Sequence, residues 1–321
     1  MSNFLHDSGW SDRFSELLAA HFNMSAFIEQ NVSRKFRLRL SGGWQAYLLL
    51  LPALSVIGIL FGGGLILAVL QSVGLLGLTA NGFTLAAYES AIANPEFWRA
   101  LGLSLYLAIA ATVLATICSI GLALLLQSAG RWATFACQIT LPIPHLVGVA
   151  GMLLLLAPSG LMARGLLAIG WIGSDQDFPL LINDRFNLGV LIHFLWKEIP
   201  FITLILLAVL RGIGREYDMQ ARVLGANAWQ SFWYVTLPLL KPGILSASLI
   251  VFGFIFGSFE VPFLLGSSFP RTLPVLVYRA FTDIDLNQRT EAIALGLLLA
   301  IVSLLAIGLY LWVSSDRRSE A

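Results

Sequence analysis

The fold of this chain turns on the segment Arg211-Gly-Ile-Gly-Arg-Glu-Tyr-Asp-Met-Gln-Ala-Arg-Val-Leu-Gly-Ala-Asn-Ala-Trp-Gln-Ser-Phe-Trp-Tyr-Val-Thr-Leu-Pro-Leu-Leu-Lys-Pro-Gly243. From Glu216 to Leu224 good helix formers dominate, with Glu216 and Asp218 early and Arg222 late, as the helix dipole favours. Gly225 follows as a residue free to adopt positive φ, and Asn227 is placed to cap a second short helix carrying Trp229, Phe232 and Trp233 at i, i+3, i+4 spacing. Pro238 and Pro242 are expected to stop that element. The segment therefore predicts two short helices joined at a glycine elbow, with an aromatic face open to a partner.

Outward from the elbow, the chain turns apolar on both sides. Of its 321 residues 58% are hydrophobic and 12% charged, against roughly 45–50% and about 25% in soluble domains. Crossing a bilayer core of about 30 Å takes about 20 helical residues. Six runs qualify: Trp44–Leu70, Leu101–Leu126, Phe135–Ala157, Leu188–Leu210, Ile244–Leu265 and Ala292–Val313. The expected fold is an all-α integral membrane protein with six transmembrane helices and the elbow between spans four and five. Pro142 and Pro144 in the third run, Pro200 in the fourth and Pro262 in the fifth each remove a backbone donor and predict kinks or breaks. In a membrane such breaks persist only where neighbouring helices or a watery cavity satisfy the freed groups, so they point to a bundle with an interior path.

A net charge of +1, with no basic block longer than Arg34-Lys35, leaves no electrostatic footprint for nucleic acid. Cys118 and Cys137 lie inside apolar runs and suggest neither a disulfide framework nor a metal site. The first 40 residues lack a secretory signal, and Phe14–Phe22 has the apolar spacing of a short amphipathic helix, which suits either a membrane-surface anchor or a solvated tail. With the N-terminus inside, eleven Lys/Arg near the ends of the spans fall on the cytoplasmic side and five opposite, with Arg99 at a border, and the link Gln71–Trp98 carries none. This asymmetry predicts both termini in the cytoplasm. On that topology the link Gln127–Thr134 is short, whereas Arg211–Gly243 takes thirty-three residues, far more than reversal of the chain requires.

The elbow resembles the cytoplasmic signature of permease subunits of type I binding-protein-dependent ABC importers: Glu-Ala-Ala, three residues, Gly-Ala, then a spaced Phe and a Leu-Pro. Ala221, Gly225, Ala226, Phe232, Leu237, Pro238, Pro242 and Gly243 fall on that pattern, and Glu216 matches an acidic position upstream. Met219 and Gln220 depart from it, so a salt bridge from a Glu at 219 is not available. The resemblance implies a cytoplasmic tail at 1–43, a six-span permease domain at 44–315 with 211–243 as its coupling segment, and a tail at 316–321. It further implies that Glu216, Ala221, Gly225, Ala226, Phe232, Leu237 and Pro238 form a coupling helix that docks on a separate cytoplasmic ATPase. The implied partners are two such ATPase subunits, a second permease chain, in a heterodimer rather than a homodimer, and an extracytoplasmic solute-binding protein. The implied location is the bacterial inner membrane. The chain would be no enzyme and hold no cofactor, ATP and magnesium lying on the ATPase. The sequence agrees, since Lys35, Lys197 and Lys241 all lack a preceding Gly and no phosphate loop exists.

Ionisable groups inside spans are costly and therefore functional candidates. Span four carries His193 and Lys197, four residues apart on one face, with Glu198 beside them and Pro200 following. His145 follows Pro142-Ile143-Pro144, and Glu260 precedes Val261-Pro262. These five residues either line a solute path or neutralise one another, Lys197 pairing with Glu198 or Glu260 and His145 donating to a carbonyl freed by a proline. Phe259–Gly266 resembles a stretch of permeases for polyamines, iron, sulfate and thiamine. An acidic Glu260 there suits a cation such as a polyamine, while Lys197 argues equally for an anion. Gly253 and Gly257 are spaced for close helix approach, as are Gly58 and Gly62. Leu161–Ile172 and Leu273–Phe281 read as short external helices, forming either a platform for a binding protein or a lid. A secondary, ion-coupled transporter is the rival class, but the hydropathy shows no inverted repeat. An intramembrane enzyme is disfavoured by scattered histidines (His6, His21, His145, His193) and by the absence of Gly-x-Ser-x-Gly and His-Glu-x-x-His.

Overall fold

The computed structural model describes residues 43–77, 82–214, 216–285 and 288–315. The amphipathic stretch Phe14–Phe22, the rest of the N-terminal tail to residue 42 and the C-terminal tail at 316–321 lie outside the described residues. Among those described, every regular element is helical. Six stretches are long and apolar enough to cross a membrane: Tyr47–Ser72, Pro95–Gln127, His145–Ala168, Leu188–Ile213, Ala228–Gly257 and Gln288–Trp312.

Two compact units divide the chain after Ile66. The first consists, where described, of α1 (Gly43–Ile57), a wide π-type turn at Gly58–Gly62 and the opening of α2 (Gly63–Ser72). Gly58 and Gly62 bound that turn.

The second unit holds the bundle. α3 (Ala86–Ala93) leads into α4 (Pro95–Gln127), which starts with Asn94 accepting the Glu96 amide at 2.9 Å and Pro95 in the first turn. At 33 residues α4 is about 50 Å long. Its buried stripe is made of small residues, Ala108, Ala111, Ala115, Ser119 and Ala123, which bring it close to α8 (Leu188–Ile213). Apolar burial gives little net drive where lipid is as apolar as the core, so close van der Waals contact and buried hydrogen bonds hold such helices together. One bond joins the Ser119 hydroxyl to the Ile199 carbonyl at 2.9 Å, beside Pro200. α8 runs unbroken through that proline, so the expected weakening of span four is not found.

The third apolar run, by contrast, is broken. α5 (Arg131–Gln138) ends before Pro142, turns occupy 139–144, and α6 (His145–Leu156) begins after Pro144. α7 (Leu161–Ala168) follows as a short separate helix, as expected of Leu161–Ile172. Past α8 come the elbow helices α9 (Glu216–Val223) and α10 (Ala228–Ser231), a π-type turn at Phe232–Thr236 and α11 (Leu237–Gly257). Pro238 and Pro242 do not stop the second elbow helix. Pro238 lies in the first turn of α11, where a missing N–H costs least, and the wide turn before it relieves the ring clash. The fifth run breaks instead at Ser258, and Pro262 sits inside the short α12 (Glu260–Leu265). α13 (Leu273–Phe281) packs on α14 (Gln288–Ser315). Gly253 stands at ordinary contact from Ile307, 3.8 Å for an added Cβ, and an added Cβ at Gly257 meets nothing within 4 Å, so this pair forms no tight seam inside the chain.

At the end of the bundle away from the elbow, polar ties accompany a second apolar cluster that includes Phe97, Leu273, Leu276 and Leu295. Asn187, in the left-handed region at φ 54°, accepts the Ser267 amide at 2.8 Å, and the Asn183 amide donates to the Leu265 carbonyl at 2.9 Å. Arg271 pairs with Glu96 at 2.9 Å, and the Ser104 hydroxyl accepts the Leu273 amide at 2.8 Å.

Candidate functional site

The elbow is built by its caps. Gly225 has φ +89°. Its amide donates to the Arg222 carbonyl, and the Ala226 amide reaches back to the Ala221 carbonyl, each at 3.0 Å. These are the two bonds of a Schellman ending with glycine in the left-handed position. Two residues on, Asn227 and Gln230 form a reciprocal capping box, Asn227 Oδ1 accepting the Gln230 amide at 2.8 Å and Gln230 Oε1 accepting the Asn227 amide at 2.9 Å. Asp218 ties the two helices together: Oδ1 accepts the buried Ser231 hydroxyl at 2.6 Å and Oδ2 accepts Arg222 Nε at 3.0 Å. The pattern lacks its Glu at 219, yet Asp218 one position earlier supplies a carboxylate to Arg222.

Ala221 is buried, Phe232 half-buried, and Glu216, Gly225 and Pro238 are exposed. Trp229, Phe232 and Trp233 form one aromatic cluster with centroids 5.5–6.1 Å apart. They line a cavity of about 1050 Å³ walled also by Ile120, Leu124 and Tyr217, beside the end of α4. The cluster thus walls a groove beside α4 while remaining open to a partner, with Trp229 67% and Trp233 47% exposed. A second apolar patch lies at the end of α9, where Val223 is 87% and Leu224 88% exposed. Exposed apolar clusters on polar surroundings mark interaction sites. The sequence reading passed over both residues; the available signal was a pair of aliphatic side chains at the C-terminus of an otherwise polar helix.

Inside the bundle, His193, Lys197 and Glu198 are all buried on α8. His145 Nδ1 lies 3.3 Å from His193 Nε2, and the His145 ring packs 4.8 Å from that of Phe254. Gly148 permits this approach, because a Cβ there would stand 2.7 Å from the Trp196 ring and 2.9 Å from His193 Cε1. Lys197 does not pair with Glu198 or Glu260; among the described residues no ion pair joins them. Its Nζ donates instead to three carbonyls of the third-run break: Thr140 at 2.9 Å, Leu141 at 3.2 Å and Ile143 at 2.6 Å. Thr140 is the residue whose helical donor would have been the nitrogen of Pro144. The lysine thus performs the task expected of His145 and compensates the break with a charge-assisted cluster. Glu260 is exposed at the head of α12, which packs against α6 and α8. The five candidates therefore fall into a buried clamp (Lys197), a histidine pair (His145, His193), a buried carboxyl group (Glu198) and an exposed one (Glu260).

Comparison with known proteins decides the family. The pattern described as "Binding-protein-dependent transport system inner membrane component" matches residues 115–319. This chain belongs to that family. Similar permeases include the molybdenum transport system permease protein ModB of Mycobacterium tuberculosis, 32% identical over 224 residues that cover 67% of this chain and 79% of that one. The sulfate transport system permease protein CysW of Synechocystis is 29% identical over 226 residues, covering 68% and 78%. The thiamine transport system permease protein ThiP of Haemophilus influenzae is 27% identical over 227 residues, covering 71% and 40%. Among solved structures, a bacterial ABC transporter involved in import of the acidic polysaccharide alginate shares the fold, with TM-score 0.70 and 22% identity over 92% of this chain and 99% of that one. The chain is a multi-pass inner membrane component of a binding-protein-dependent transport system, and its permease fold is all-helical.

Proposed function

We propose that this permease forms the solute pathway of an ATP-driven importer and that its elbow is the contact through which a separate cytoplasmic ATPase drives it. The observation that carries this reading is the rigid elbow itself. A Schellman ending at Gly225, a capping box at Asn227 and the Asp218 ties hold Val223 and Leu224 exposed at the end of α9. A lipid-surface anchor would need no such locked geometry. The Lys/Arg asymmetry orients both termini and the elbow toward the cytoplasm. Family membership supports an extracytoplasmic binding protein, two ATPase subunits carrying ATP and magnesium, and a second permease chain, which we assign as a related partner rather than a second copy. The chain itself performs no hydrolysis.

For the solute we propose a small charged compound, with a polyamine as the first candidate. Glu260 is an exposed carboxyl group at the head of α12, which packs on α6 and α8, the helices that carry the histidine pair, and Lys197, with a carbonyl for each of its three donors, has none left for an anion. The relatives named above are permeases for molybdenum, sulfate and thiamine.

Photocrosslinking tests the coupling. With a benzophenone placed at Ala226 or Leu224 in intact cells, mass spectrometry should find a nucleotide-hydrolysing subunit attached. Adducts with lipid alone, or uptake that survives ATP depletion, overturn the reading in favour of an ion-coupled carrier. Competition of labelled putrescine uptake by spermidine but not by sulfate or molybdate tests the solute class, and the opposite order overturns it.

A further inference from the structure

We propose that the groove between α4, α11 and α14 holds one acyl chain of an anionic phospholipid whose headgroup phosphate pairs with Lys241. The groove has a volume of about 540 Å³ and a wall that includes Ile109 and Val113 of α4, Leu245 and Phe252 of α11 and Leu309 of α14. Lys241 lines one end of it, and among the described residues it has no ion-pair partner. Its depth suits a headgroup contact. Lys241 stands in the second turn of α11, at the end nearest the elbow and just before the apolar run that opens at Ile244, where a lysine can extend its ammonium to the interface.

The occupant follows from length and charge. Along α11 the apolar wall runs from Lys241 to Phe252, eleven residues or about 16 Å, close to half the hydrocarbon core and so to one leaflet's acyl chain. Ile109, Val113 and Leu309 are at least half exposed, so the groove opens outward from this chain. The bonds of the Tyr310 hydroxyl to Ser248 Oγ at 2.6 Å and to the Leu245 carbonyl at 3.3 Å pin α14 to α11 and keep the floor closed. A lone cation at the mouth of an apolar slot complements an anionic headgroup above an acyl tail, and the cytoplasmic leaflet is the negatively charged one. The inference rests on the orientation proposed above, with the elbow cytoplasmic.

The test uses the full chain in vesicles of phosphatidylcholine with a fifth of phosphatidylglycerol. Tail-spin-labelled phosphatidylglycerol and phosphatidylcholine should partition differently into the protein-bound shell, by roughly fivefold in favour of the anionic lipid, the worth of one basic residue near the surface. Lys241→Gln should abolish the preference, Lys241→Arg should retain it, and Leu245→Trp should cut the bound fraction of both lipids by filling the slot. Equal binding of the two lipids by the unaltered chain, or an unchanged preference in Lys241→Gln, overturns the proposal. So does a photocrosslinker at Ile109 that captures a second permease helix in place of lipid. Elbow crosslinking to the ATPase in the same variants reports separately on the coupling reading, so the two failures are distinguishable.

Discussion

Gly225 and Lys197 show at the scale of single residues how backbone needs dictate side chains. A Cβ at Gly225 would meet nothing within 4 Å, so its constraint is the φ of +89° alone. Substitutions should therefore rank by left-handed tolerance: Gly225→Asn mildest, Gly225→Ala intermediate, Gly225→Val worst, at about 1–3 kcal/mol of local strain. ATP-dependent uptake should fall in that order while membrane insertion, followed by protease protection, stays intact. Lys197→Met strips donors from three carbonyls buried in the bundle, and unmet buried acceptors cost on the order of 1–3 kcal/mol each. The purified variant should unfold at a markedly lower temperature, with Lys197→Arg recovering part of the loss. Glycine 225 was legible from sequence, because helix endings are local. The role of Lys197 was not, because its acceptors lie 54 to 57 positions away and only the packing of the third run on α8 brings them to it.

Among elements, prolines divide by what surrounds them. Pro142 and Pro144 break the third run, while α8 passes Pro200 with a Ser119 hydroxyl on the adjoining carbonyl. A proline rule applied to sequence cannot see the close packing of α4 along α8, which holds that helix together through Pro200; the break was anticipated at both places and found at one. Close contact between α6 and α8 sets the next test. Gly148→Ala must displace the Trp196 ring or His193, whereas Gly151→Ala enters open space on the same helix. The first should destabilise the detergent-purified protein by about 1–3 kcal/mol and the second should be near neutral, as thermal unfolding will show. In the elbow, Asp218→Ala leaves the buried Ser231 hydroxyl without that acceptor. Amide exchange across 216–231 should quicken several-fold while the spans stay protected.

Across the molecule, apolar run length made the number of spans legible, since bilayer thickness imposes it regardless of packing, although the third stretch lies at His145–Ala168 and not at Phe135–Ala157. Boundaries were less so: α4 begins six residues before the apolar run, because Asn94 and Pro95 set its start rather than hydropathy. The aromatic rings line an open groove beside α4, and Val223 with Leu224 add a second exposed apolar patch to the elbow. Replacing both by Lys should abolish co-purification of an ATPase from detergent without lowering the yield of folded permease.

The uninterrupted passage from α10 through the π-type turn into α11 has a mechanical corollary. Thirty residues from Ala228 to Gly257 make a single rod about 45 Å long. A tilt of only about 5° imposed at the Trp229 end sweeps the opposite tip through roughly 4 Å. A push applied at the Trp229 end would then reach Ser258 and Glu260 as travel comparable to the diameter of a small ion, less whatever bending the π-type turn at Phe232–Thr236 and the prolines Pro238 and Pro242 absorb.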